Sequence, residues 1–152
     1  MVACYHLVAG YYEFEECNGP NPTIGMEVGE TYTFVQTDVS NFYHPMGFAY
    51  VPDGAHADAP ELGPGVSVPE DANCTLDLTC PAPMYYKNDV YLGQYSNLNS
   101  SNVIAAEDFG LDAYEPEFFY PITDWVTANY TIKLKFDDES YTKDIFYFCH
   151  VS

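Results

Sequence analysis

Asn129-Tyr-Thr-Ile-Lys-Leu-Lys-Phe136 alternates without a break, with Tyr130, Ile132, Leu134 and Phe136 on one side and Thr131, Lys133 and Lys135 on the other. Successive side chains of a β-strand point to opposite faces, so a period of two sets one face against a core and the other in water. Beyond it, Asp137-Asp-Glu-Ser140 supplies a polar turn, and Lys143 to His150 predicts a returning strand whose nearly continuous apolar run suits the inside of a sandwich. Toward the N-terminus, Pro22-Thr-Ile-Gly-Met-Glu-Val28 and Thr31-Tyr-Thr-Phe-Val-Gln36 flank Gly29-Glu30, a two-residue connection that predicts a hairpin. Helical periodicity is scarcely detectable anywhere, and short strand-like stretches separated by Gly, Pro, Asn and Asp point to an all-β sandwich or barrel. The middle of the chain, from Pro52 to Pro121, carries most of the prolines and no steady period. It reads as long central loops with one or two short strands, such as Asp89 to Leu92. With no internal repeat and no linker, residues 1–152 are expected to form a single domain.

The charge excludes one class of partner. There are 23 Asp and Glu against 4 Lys and no Arg, a formal net charge of −19, so the basic groups that displace phosphate counterions are missing and nucleic-acid binding is not expected. Anionic membrane surfaces are disfavoured for the same reason, and no apolar run is long enough to predict membrane insertion. Acidity of this kind maintains solubility, as in many extracellular and saline-adapted proteins; attraction of cations or of a basic partner is the sharper reading. The composition is 47% hydrophobic with 15 Tyr and 10 Phe, which argues against disorder despite the charge.

Five cysteines form an odd set: Cys4 and Cys17 are near neighbours, Cys74 and Cys80 are another such pair, and Cys149 stands apart. Two local disulfides and one special thiol is the simplest arithmetic, although four cysteines allow three pairings. Asn73-Cys-Thr75, Asn99-Ser-Ser101 and Asn129-Tyr-Thr131 are glycosylation triplets, of which chance supplies about one. Together these features lead us to expect a secreted or cell-surface glycoprotein. The opening Met-Val-Ala-Cys-Tyr-His has neither a basic region nor an apolar region of signal-peptide length, so a processed or excised fragment is expected.

Chemistry concentrates at two places. His44 follows a strand-like stretch in Ser40-Asn-Phe-Tyr-His-Pro-Met-Gly-Phe48, and Cys149 ends the last strand in Ile145-Phe-Tyr-Phe-Cys-His150. A copper electron-transfer site needs a soft thiolate and imidazole nitrogens held by a rigid scaffold, and these segments offer both donor types. Gly29-Glu-Thr-Tyr-Thr-Phe34, Ser40-Asn-Phe-Tyr-His-Pro45 and Phe146-Tyr-Phe-Cys-His150 resemble, in that order, the opening hairpin, the Asn-x-x-His segment and the thiolate-bearing strand end of the cupredoxin family. The resemblance covers about a third of the chain and none of the region from Pro52 to Pro121.

What the resemblance implies is specific. The fold would be a cupredoxin-like Greek-key β-sandwich or barrel with long central loops. His44 and Cys149 would ligate a mononuclear copper, and Asn41 would steady the ligand loops from the second layer. His150 is a further candidate ligand, although in the related multicopper oxidases the residue at this position turns toward a separate trinuclear centre. The family's second His falls a few residues after the Cys, often at the third, and an axial Met or Gln beyond that; here the third residue is Ser152. The function implied is electron transfer or copper holding outside the cell, with a redox protein as partner, and not catalysis. The alternative from another class is a copper-free cupredoxin-like module for structure or recognition, among neighbouring surface glycoproteins. Each residue also has a plain reading: His44 as a strand end, Cys149 as a core thiol or a disulfide partner, His150 as structural, Met46 as core. Asp53-Gly-Ala-His-Ala-Asp58 is an acidic turn that could take a divalent cation. No phosphate loop, His-Glu-x-x-His helix or Gly-x-Ser-x-Gly elbow is present.

Overall fold

The computed structural model describes residues 2–7, 11–49, 83–92, 111–135 and 144–150, with backbone alone for 2–7, Asp112 and Lys135. Among these residues strands are the main regular structure and helices are few. The strands are β1 (Val2–Leu7), β2 (Tyr11–Phe14), β3 (Thr31–Val35), β4 (Met46–Ala49), β5 (Met84–Lys87), β6 (Val90–Tyr91), β7 (Tyr130–Lys135) and β8 (Phe146–Cys149). One sheet runs β2-β1-β3-β7-β5-β6 and a second consists of β4 and β8. Every pairing is antiparallel except β1 with β3, and neither sheet closes into a barrel.

β7 forms where the alternation predicts it, at the centre of the large sheet between β3 and β5. Tyr130, Ile132 and Leu134 are buried, while Thr131 and Lys133 are half-buried on the other face. The strand expected from Lys143 to His150 is shorter, Phe146 to Cys149, and half-buried on both faces. Rings join the two sheets: Phe34 meets Phe48 at 5.3 Å between centroids, and Tyr147 meets Phe14 at 5.2 Å, both edge-on. Edge-to-face contact is the favoured arrangement for such pairs.

The hairpin expected around Gly29-Glu30 does not form. Residues 22–28 carry no strand, and the two edges of β3 are taken by β1 and β7 instead. Pro20 and Pro22 remove backbone donors that a ladder would need, and the segment is held by isolated contacts such as Glu27 N–H to the Tyr32 hydroxyl oxygen at 2.7 Å. In the central region, β6 falls within the expected Asp89–Leu92 strand. β5 pairs with it through Asn88 and Asp89, whose φ values of 50° and 62° make the mirror-image turn that two-residue hairpins need.

Two one-turn helices, α1 (Leu111–Tyr114) and α2 (Ile122–Trp125), with a 3-10 turn over Glu115–Phe119 between them, were not anticipated. They deliver Tyr114, Phe118 and Trp125 into the core, where Trp125 stacks on Tyr130 at 5.3 Å and 10° between planes. Among the described residues no helix is long and apolar enough to cross a membrane.

Candidate functional site

The loop between β3 and β4 is built by local hydrogen bonds. The Asp38 carboxylate accepts from the Ser40 backbone N–H at 2.9 Å and from the Ser40 hydroxyl at 2.6 Å, starting a 3-10 turn over Val39–Asn41. The turn continues with Phe42 N–H to Val39 C=O and His44 N–H to Asn41 C=O at 2.8 Å. Tyr43 then takes φ 70°, a left-handed conformation that costs an ordinary residue about 1 kcal/mol or more. That reversal lets His44 and Pro45 lead directly into β4.

β8 lies antiparallel to β4 with Met46 opposite Cys149, and His150 N–H donates to Pro45 C=O at 3.0 Å. The register therefore sets Cys149 beside the residue two positions after His44. Cys149 Sγ stands 3.4 Å from His44 Nδ1, although 105 residues separate them in sequence. Both side chains are half-buried. With metal–sulfur and metal–nitrogen bonds of about 2.3 and 2.0 Å and a tetrahedral angle, two donors of one centre stand about 3.5 Å apart. The observed separation fits that geometry, and it also fits a direct thiol–imidazole hydrogen bond. Burial pushes the His44 imidazole below its ordinary pKa, which favours the neutral ring, the form that ligates a metal. A thiolate–imidazolium pair, as a cysteine nucleophile needs, is disfavoured by the same burial.

Asn41 is fully buried beneath the loop, accepting from Gln36 Nε2 at 3.0 Å. Met46 is fully buried in the core, as its plain reading expects. His150 is not gathered to the pair. Its Nδ1 lies 2.8 Å from Glu115 Oε2, an ion-pair contact off the direction of a well-aligned hydrogen bond, and its ring lies 6.2 Å from that of Phe148. Neighbours along a strand project to opposite faces, so the backbone that turns Cys149 toward His44 turns His150 toward Glu115. Among the described residues no three His, Cys, Asp or Glu side chains cluster as a metal site.

Among the described residues, neither Cys17 nor Cys149 is in a disulfide. Cys17 sits beyond the end of β2, where its N–H donates to Phe14 C=O, whereas Cys4 faces Phe14 in the β1–β2 ladder. The bridge expected between Cys4 and Cys17 involves the Cys4 side chain, which lies outside the described residues. Cys74, Cys80, Asn73, Asn99 and the Asp53–Asp58 turn also lie outside them. Asn129 is exposed at the start of β7.

Two contributors escaped the sequence reading. Gln36 looked like the last residue of an ordinary strand, and Glu115 like one acid among many; the signal at Gln36 is a polar side chain two residues after Phe34, on a core-facing position. Compared with protein-family models, with curated proteins and with solved structures, the chain matches none.

Proposed function

We propose that this chain is a cupredoxin-like domain of Greek-key type that works outside the cell and binds a single copper ion through His44 and Cys149. The observation that carries the reading is the 3.4 Å approach of Cys149 Sγ to His44 Nδ1 across two strands that the sequence keeps far apart. A thiolate and a neutral imidazole are both donors that suit copper, and a rigid β framework lets their geometry change little between oxidation states. Bound copper would supply one-electron chemistry. The chain's own part is to hold the two donors at fixed separation, to keep His44 neutral by burial, and to tie the His44 carbonyl to the Tyr12 hydroxyl, which donates to it at 3.2 Å.

Metal analysis after gel filtration tests the proposal. One copper per chain is expected for the unaltered protein, with loss of that copper in both Cys149→Ser and His44→Ala. Undiminished copper in both variants would put the metal elsewhere and end the assignment.

A second reading is favoured by the position of His150 against Glu115, which leaves two protein donors at the pair among the described residues. On this reading the thiol–imidazole contact is a structural pin in a recognition module. Failure of the folded, reduced chain to retain copper would select it.

A further inference from the structure

Gln36 follows β3 and is fully buried, on the same face as Phe34, where a hydrophobic side chain would continue the core. A buried amide is costly unless every polar atom is bonded. Here each is. Nε2 donates to Asn41 Oδ1 at 3.0 Å and to the His44 carbonyl at 2.9 Å, while Oε1 accepts from the Met46 N–H at 3.0 Å and from the Tyr114 hydroxyl at 3.2 Å. A primary amide has two donors and two acceptor sites, so its capacity is filled. The backbone partners have fixed roles, a carbonyl on one side and an N–H on the other, and they dictate which way the amide faces. Its own N–H donates to Tyr130 C=O at 2.9 Å, anchoring it to β7.

The two backbone partners bracket Pro45. One belongs to His44, and the other belongs to Met46, the residue opposite Cys149 in the β4–β8 ladder. We infer that Gln36 is a positioning residue that holds His44 and Cys149 at their mutual distance by clamping the chain on both sides of Pro45. The inference rests on the copper reading for its metal-binding consequence, whereas the thiol–imidazole geometry it explains exists without metal.

Gln36→Glu keeps the shape and the acceptor but cannot reproduce both Nε2 donations; Gln36→Met keeps the length and abolishes both functions. In the metal-free full chain, the nuclear Overhauser contact between the His44 ring and the Cys149 β-protons reports the pair directly. We expect it in the unaltered chain and in Ile132→Val, a core variant that touches none of Gln36's bonds, and we expect its loss in the Gln36 variants while the remaining amide spectrum is retained. Copper affinity should fall by roughly tenfold to a hundredfold in the same variants. Retention of the contact in either folded Gln36 variant, or its equal loss in Ile132→Val, overturns the inference. So does failure of both Gln36 variants to fold, which would mark Gln36 as a determinant of the fold and nothing more. If the contact depends on Gln36 as expected but no form takes copper, the copper reading falls and the positioning role stands.

Discussion

At the scale of single residues, the behaviour of His44 follows from burial. Its folded pKa lies below the ordinary value of 6.5, so between those two values the unfolded chain binds the proton that the folded chain refuses. Stability must then rise with pH across that window: His44's contribution is complete above about pH 6.5 and is lost as pH falls toward the folded value. Denaturant midpoints at pH 5 and pH 7 should therefore differ more for the unaltered chain than for His44→Gln; equal differences would mean that His44 is not shielded. Tyr130 shows the opposite sign at the alkaline end. Burial, then the charge and hydrogen bond of Glu117, push its hydroxyl up to about 12, above the ordinary 10. The folded chain keeps this proton while the unfolded chain releases it, so stability should fall between those two values, and Tyr130→Phe should flatten the decline. Of the site residues, His44 and Cys149 were legible because their types and flanking residues resemble a known donor pattern. Gln36 was not, because its importance lies in four partners drawn from two separate stretches of chain, residues 41–46 and Tyr114.

At the scale of elements, the site depends on how closely β4 and β8 approach. A β-carbon at Gly47 would lie 2.8 Å from Phe148 Cζ and 3.1 Å from Leu111 Cδ2, so glycine is what admits the Phe148 ring against β4. Gly47→Ala should cost about 1–3 kcal/mol by overpacking and should displace Cys149, which follows Phe148 directly. Gly25→Ala, with nothing within 4 Å, is the matched control and should leave the unfolding midpoint nearly unchanged. In β7, Leu134→Ala removes a fully buried side chain and should cost about 2–5 kcal/mol, measurable by urea unfolding. β7 was legible over Tyr130 to Lys135 because strict alternation admits one reading; Phe136 lies outside the described residues. Residues 22–28 were misread because a Gly-centred turn signal says nothing about which edges of β3 are already occupied. α1 and α2 were invisible because a single turn has too few residues to show a period, and they exist through the burial of Tyr114 and Trp125.

At the scale of the whole molecule, the β-rich fold agrees with the composition, and ring contacts join a six-stranded and a two-stranded sheet. The net charge of −19 and the exposed Asn129 are consistent with the proposed extracellular setting, where an acidic surface would steer encounters with basic partner proteins in a salt-dependent way. Non-reduced peptide mapping should find Cys149 reduced and outside any disulfide, the state that the copper proposal needs. The proposal itself turns on whether Cys149 and His44 act as donors to one metal. Copper(II) added stepwise to the reduced, folded chain should produce an intense visible thiolate-to-copper band that saturates at one equivalent and is absent from Cys149→Ser; a chain with a confirmed free Cys149 thiol and no such band would contradict the account.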